Sequence, residues 1–457
     1  MVAEMTVEKL KGRVDGEVIE PADEAYDEAR KVLNAMIDRR PRVIVRVAST
    51  ADVAATVDFA RDNGLDLAVR CGAHSVPGFG TVDDGVVLDL SRLNSVSVDS
   101  GASTARAGGG TTWGVFNEAT GAHGLATTGG IISTTGVGGL TLGGGIGYLA
   151  RGHGLSCDNL VSAQVVTADG RTVTASEREN EDLFWAIRGG GGNFGVVAEF
   201  EFELQPVQEI YGGPLFFEIE NAGDVLRFYR EFIQDAPEAF GGFPAWQIAP
   251  PLEFIPEERH GEPFLAFIAC WAGEAAEGER VIQQLRDVAP VVAEHVGSMP
   301  YAALNSAFDA LYPPGLQHYW KANFVKELTD EAIEAHLQHG PSVPTVSSTM
   351  HIYPINGAVQ RVGSGETAFA YRDATFATVI VGAWPEPADN EANVKWVRDY
   401  YDATAPLSEE GGYINFMAGD DQERIRANYK GNYDRLVQVK RRYDPDNLFH
   451  LNQNIEP

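Results

Sequence analysis

Of the 50 glycines in this chain of 457 residues, 24 lie between residues 101 and 200. Glycine loses more backbone freedom on folding than any other residue. A dense tract of it therefore belongs where the chain must turn sharply or let something approach closely. The centre of the tract reads GGIISTTGVGGLTLGGGIG (129–147), without the repetition of linker or low-complexity sequence. A second stretch of small residues, RCGAHSVPGFG (70–80), carries one imidazole, that of His74. Backbone N–H groups in such loops form anion-binding concavities. Together the two tracts predict a large, flat, phosphate-bearing ligand held mainly by main chain.

Around these tracts the pattern is that of an α/β unit. RVIVRV (42–47) alternates as a strand does, and STADVAATVDFARDNG (49–64) reads as a helix, with Ser49 and Asp52 in capping-box spacing and Gly64 as its stop. LDLAVR (65–70) delivers the chain into the histidine loop, and GVVLDL (85–90) resumes the sheet. His74 thus sits at a strand end, where ligands of α/β sheets bind. NLVSAQVVTADGRTVTAS (159–176) predicts a hairpin closed at Asp169-Gly170. ENEDLFWAIRGGGGNFG (179–195) predicts a short helix running out into glycines. VVAEFEFEL (196–204) is a half-buried strand with Glu199, Glu201 and Glu203 outward.

Composition shifts at QPVQEIYGG (205–213), the expected domain boundary. Beyond it PLFFEIE, FLAFIACW and TFATVIVGAW are strands between amphipathic helices such as AGDVLRFYREFIQ, the pattern of an antiparallel sheet with helices on one face. Three segments result: 1–205, 206–410 and a tail, 411–457, that returns to the first.

With 65 acidic against 35 basic residues the formal net charge is −30. Such a surface repels nucleic acid and anionic lipid, so neither is an expected partner. No apolar run reaches the ~18 residues of a membrane span, and the N-terminal stretch lacks an apolar core of signal-peptide length. Cys71, Cys157 and Cys270 make no disulfide framework and suit a reducing compartment. The expectation is a cytoplasmic protein.

Two motifs invite other readings. GGGNFG (190–195) matches GxGxxG, but a dinucleotide fingerprint follows a strand and opens a helix, and here that order is reversed. A nicotinamide site is rejected on that ground. Cys71-x-x-His74 with His153-x-x-x-Cys157 would make the two halves of a Cys2His2 zinc site. Structural zinc supports small domains without a core and leaves the clustered glycines unexplained, so no metal is expected. A histidine or cysteine standing alone is ordinarily a solvated or a packed residue. The glycine-rich company of His74 and Cys157 sets them apart.

Five segments in chain order resemble the flavin-linked oxidases of the berberine bridge enzyme-like group: RCGAHS (70–75), TTGVGGLTLGGGIGYLARGHGLSCDNL (134–160), VVTADGR (165–171), DLFWAIRGGGGNFGVV (182–197) and YDPDNLFHLNQNI (443–455). The resemblance implies an α+β, two-domain FAD-binding fold of the vanillyl-alcohol oxidase type. Residues 1–205 and 411–457 would hold FAD, and 206–410 would form an antiparallel-sheet substrate domain. It further implies FAD linked covalently twice, at its 8α carbon by His74 and at its 6 position by Cys157. Cofactor contacts are implied for Arg70, Cys71, Gly72, Ala73 and Ser75, for Gly129, Gly136, Gly139, Gly143 and Gly145, and for Asn159, Gly195, Val197 and Asn452. Ala73 stands where the family commonly has glycine, which alanine tolerates at negative φ.

The implied reaction is two-electron oxidation of an alcohol carbon, or of a C–H bond beside a heteroatom, in a carbohydrate or secondary metabolite. Dioxygen would return as hydrogen peroxide. A dehydrogenase using another acceptor and a non-catalytic flavin carrier are the alternatives. Tyr413 and Asn415 of GGYINF fall two apart on an expected strand and so share a face. The resemblance implies Tyr413 as the base, with packing on the flavin as its competing role. His351 and Tyr353 of MHIYPINGAV form a second such pair, implied to face substrate. Tyr312, Tyr319 and Trp320 of LYPPGLQHYWKANF either line a pocket or belong to the core.

Overall fold

The strand–helix–strand run after residue 42 folds as its pattern requires, in a computed structural model that describes residues 6–457. Val43–Arg46, Val86–Asp89 and Leu67–Arg70 pair in parallel, and Glu17–Ile19 adds an antiparallel edge. The crossover helix Thr50–Asp62 is capped by Ser49, whose side chain accepts from the Asp52 N–H. Val43, Val45 and Leu88 pack with Val53, Val57 and Phe59 of that helix, whereas Ile44 and Val87 pack on the other face. Parallel strands are covered on both sides, so the alternation of RVIVRV does not reappear as alternate burial.

The second sheet is antiparallel, in the order Val96–Asp99, Thr104–Gly108, Val196–Glu203, Leu160–Val166, Thr172–Ser176. Its last two strands are the expected hairpin. On Val196–Glu203 the Phe202 ring turns inward against Trp113 and Phe116, while Glu201 meets Ser162 and Arg106 on the outer face.

The third sheet, entered at Glu209–Phe217, is antiparallel throughout. Its order is Val291–Glu294, Glu209–Phe217, Pro263–Trp271, Phe243–Ile248, Thr349–Pro354, Phe376–Trp384, Gln317–Val325. One face takes the helices Ala222–Asp235, Ala275–Arg286, Asp330–His339 and Asn390–Thr404 through residues such as Leu226, Ile282, Ile333 and Tyr400. The other face, with Phe243, Cys270, Val379 and Val381, packs against Ile146, Tyr148 and Leu155 of the glycine tract. In the tail, Leu436 and Val439 of the helix Tyr433–Tyr443 pack on Leu183 and Ile187. The fully buried Lys440 fastens this junction: its ammonium donates to Asp444 at 2.6 Å and to the carbonyls of Asn193 and Phe449 at 2.9 Å. Among the described residues no helix is long and apolar enough to cross a membrane.

Candidate active site

Where the three sheets converge there is a cavity of about 320 Å³. Glycine-rich and loop segments make one side of its wall. Leu67–Arg70 ends at the cavity and feeds Cys71 to Pro77 along its rim; Gly136, Gly138 and Gly139, Gly191, Gly192 and Gly195, and Leu451 to Gln453 close the rest. The loop and the tract are in backbone contact: a Cβ on Gly72 would lie 2.4 Å from the Gly136 nitrogen. At Gly139 and Gly192 an added Cβ would meet no protein atom within 4 Å and would enter the cavity instead. Ala73 adopts φ +58°, not the negative φ expected of alanine, a left-handed conformation that costs an L-residue about 1–2 kcal/mol. The turn it makes leaves the N–H groups of Ala73, His74, Ser75 and Val76 without a protein acceptor among the described residues.

His74 is carried on this rim. Its Nε2 lies 3.0 Å from Thr134 Oγ1 and its Nδ1 3.4 Å from Thr135 Oγ1. Burial draws its pKa down to about 4, so the ring is neutral at physiological pH. Cys71 also lines the cavity, but its thiol donates to the Thr111 carbonyl and burial pushes its pKa up to about 11. Arg70 presents its stem only, because its guanidinium pairs with Asp89 at 2.6 Å, both side chains being 5% exposed.

The facing wall is built of side chains on the third sheet. His351 and Tyr353 project from Thr349–Pro354 beside Val379 and Val381 of Phe376–Trp384, with Trp320 and Tyr312 at one side. Burial lowers the His351 pKa to about 3 and raises that of Tyr353. The Tyr353 hydroxyl and His351 Nδ1 are hydrogen-bonded at 2.5 Å, the phenol being the donor when the neutral imidazole carries its proton on Nε2. Phe243 packs against both rings and Phe416 stacks on Tyr353.

Several expected site residues lie elsewhere. GGYINF is not a strand: Tyr413 precedes a 3₁₀ turn, Ile414–Phe416. Asn415, Ile414 and Phe416 line the cavity, but Tyr413 does not. Its buried phenol oxygen accepts from the Gly145 N–H and from Asn415 Nδ2, each at 2.8 Å, and burial drives its pKa well up. It anchors the glycine tract, and its phenol oxygen, expected to act as base, lies behind the cavity wall with two donors already on it.

Cys157 is fully buried with Ile146, Tyr148 and Tyr413, and it too is absent from the cavity wall. Gly145, at φ +95°, packs against Ser156, and the 3₁₀ turn Ser156–Asn159 carries the thiol in behind the tract. There its N–H bonds to Gly144 O at 2.8 Å, and burial beside Asp158 raises its pKa. The thiol expected to link FAD thus lies behind the tract and off the cavity wall.

Gly129, Gly143, Gly145 and Asn159 are likewise off the cavity wall. A Cβ on Gly129 would strike Trp113 and one on Gly143 would strike Asn415, while Asn159 Nδ2 donates to the carbonyls of His153 and Leu155. Tyr319 leaves the cavity to donate to Asp420 at 2.7 Å. Cys71, His74, His153 and Cys157 do not converge: among the described residues no group of three or more such side chains could hold a metal. The reading of the sequence missed Gln453, Gly192 and Phe416. Gln453 Nε2 and Asn452 Oδ1 are buried without a partner, and the amide-rich LNQN was the available signal.

A family profile described as FAD binding domain matches residues 41–176, and one described as berberine and berberine like matches residues 412–456. An FAD-linked oxidoreductase of Dictyostelium discoideum is 30% identical over 449 residues, 97% of this chain and 95% of that protein. The structure of 6-hydroxy-D-nicotine oxidase from Arthrobacter nicotinovorans matches with a TM-score of 0.86 at 29% identity, covering 97% of this chain and 98% of that one. That of glucooligosaccharide oxidase from Acremonium strictum, described as carrying a 6-S-cysteinyl, 8α-N1-histidyl FAD, matches with a TM-score of 0.85 at 26% identity over 98% of each chain.

Proposed function

Because the chain belongs to the berberine-like family of FAD-linked oxidoreductases and has the two-domain α+β fold of the vanillyl-alcohol oxidase type, we propose that it is an oxidase of a small-molecule alcohol, tethered to FAD through His74 alone, with Tyr353 and His351 as its proton acceptor. The observation that carries this reading is that His74 and the Tyr353–His351 pair face one cavity, the first from the main-chain wall and the second from the sheet.

The wall suits FAD on three counts. The free N–H groups of Ala73 to Val76 match a pyrophosphate. The bare faces of Gly139 and Gly192 leave room that any side chain would take. The unpartnered Asn452 Oδ1 and Gln453 Nε2 offer hydrogen bonds to a polar ring or ribose. When bound, FAD supplies a two-electron acceptor for hydride from a substrate carbon and passes the electrons to dioxygen as hydrogen peroxide.

His74, neutral in its buried setting, keeps the lone pair that a covalent link requires. A free phenol, with a pKa of ~10, is a poor base at neutral pH. Tyr353 escapes that limit with the imidazole protonated on Nε2, since its own proton is then donated to His351 Nδ1. A substrate hydroxyl that donates to the Tyr353 oxygen loses its proton there as hydride leaves its carbon, because only then is the substrate oxygen acidic enough to protonate an imidazole whose pKa is held near 3.

The test is acid precipitation of the purified protein. Yellow colour stays in the pellet of the wild type and of Cys157→Ala, and moves to the supernatant for His74→Ala. Colour retained in the His74→Ala pellet would restore the cysteine link. Reduction of a dye by substrate without hydrogen peroxide would make the protein a dehydrogenase.

A further inference from the structure

We propose that the sheet-side wall of this cavity selects an uncharged ring alcohol, and turns away both saccharide chains and amines protonated at neutral pH. The proposal rests on the oxidase reading above and names the substrate class of the same site.

Charge is the first observation. The chain holds 65 acidic and 35 basic residues, yet Arg70 is the only one of them among the described residues lining the cavity. Its guanidinium is already paired with Asp89 inside the protein. No carboxylate is present to receive an ammonium, and a cation taken from water into an uncharged wall without a partner is strongly disfavoured. The surface, heavily anionic, draws cations to the protein; the cavity does not retain them.

Hydrogen-bonding capacity is the second. His351 stands opposite Val379 in the sheet register, and Val381 is two residues on, so both valines share its face. Ile131 and Phe416 supply further apolar surface. The polar groups on this side are few: the Tyr353–His351 pair, the Tyr312 hydroxyl, the Asn415 amide, whose Nδ2 is already donated to Leu140 O and Tyr413, and the Trp320 indole N–H, which has no protein partner. One hydroxyl at the reacting carbon is served by Tyr353. A saccharide, with a hydroxyl on nearly every carbon, would set several of them against valine, isoleucine and phenylalanine, where unmade hydrogen bonds are costly. Flat rings, by contrast, find the faces of Trp320, Phe416 and Tyr353.

Calorimetry on the flavin-loaded enzyme tests this with three ligands that cannot be turned over: acetophenone, methyl β-cellobioside and benzyltrimethylammonium. Acetophenone is expected to bind at least tenfold more tightly than either of the others. Val381→Asp, which sets a carboxylate into the wall, is expected to raise the affinity for benzyltrimethylammonium at least tenfold and to weaken acetophenone. Binding of the cellobioside or the cation as tight as that of acetophenone overturns the proposal, and so does failure of all three to bind. The wild-type ranking decides the matter even where Val381→Asp does not fold. Flavin is assayed on the same sample by acid precipitation, so a colourless protein defeats the oxidase reading while the ranking judges the wall.

Discussion

The two walls of the cavity are built by opposite means. On the glycine side the backbone itself is the surface, and residue identity matters because only glycine lets chain approach chain, as where Gly72 meets Gly136. On the sheet side the backbone is committed to strand pairing, and the surface is whatever alternate side chains the strands carry, as with His351, Tyr353, Val379 and Val381. The first wall is therefore constrained by geometry and suited to one invariant ligand. The second can be rewritten residue by residue without disturbing the fold, which suits a variable one.

This contrast is broken most severely by substitution on the glycine side. Gly192→Val is expected to cut flavin content at least tenfold while leaving the thermal stability of the flavin-free protein little changed, because an added Cβ there meets no protein atom within 4 Å and the residue lines the cavity. Val381→Leu on the sheet side is expected to keep full colour and shift only KM. A drop in colour for Val381→Leu would erase the distinction between the walls.

A smaller effect separates two tyrosines. Tyr353→Phe removes the hydroxyl between substrate and His351 and is expected to lower kcat by about 10²–10⁴-fold at unchanged flavin content. Tyr413→Phe leaves the Gly145 N–H and Asn415 without their shared acceptor and is expected to cost about 1–3 kcal/mol of stability, with kcat within tenfold of wild type. Rapid-reaction measurement of flavin bleaching, set beside denaturant unfolding, tells the two apart.

The pH dependence of stability comes next. Burial holds His336 and His351 at a pKa of about 3 and His74 and His318 at about 4, against ~6.5 in an unfolded chain. The unfolded state thus binds protons that the folded state refuses. Stability is complete above pH ~6.5 and declines as pH falls toward these values, by up to about 1.4 kcal/mol per pH unit for each group. His336, hydrogen-bonded to Tyr400 on the helix-covered face of the sheet, gives a test remote from the cavity: His336→Gln is expected to flatten the decline measured by denaturant unfolding between pH 6 and 4.

The smallest effect sharpens the glycine side itself. Ala73→Gly relieves a left-handed alanine and is expected to stabilise the protein by about 0.5–1 kcal/mol, the strain relieved less the added freedom of the unfolded chain. Destabilisation would mean that the methyl group packs usefully on the rim.

Much of the fold was legible in the residues. The helix Thr50–Asp62 announced itself by its cap, the hairpin by Asp169-Gly170, and the strand Val196–Glu203 by its glutamates, because these signals act over a few residues. The placement of His74 was legible for the same reason: strand, then small residues, then glycine tract. Cys157 and Tyr413 lie off the cavity wall although their motifs match in residue type. Each belongs to a short irregular segment, and nothing local says whether such a segment turns its side chain toward a cavity or behind it.

The sequence by itself determined that a backbone-lined ligand site exists and which loop carries its histidine, since glycine spacing and strand periodicity are properties of neighbouring residues. Only the tertiary structure decided which thiol and which tyrosine reach that site. The third sheet had to pack against the tract, burying Cys157 and Tyr413 between them while aiming His351 and Tyr353 at the open side. That choice depends on contacts between segments some 200 residues apart, which no local pattern records.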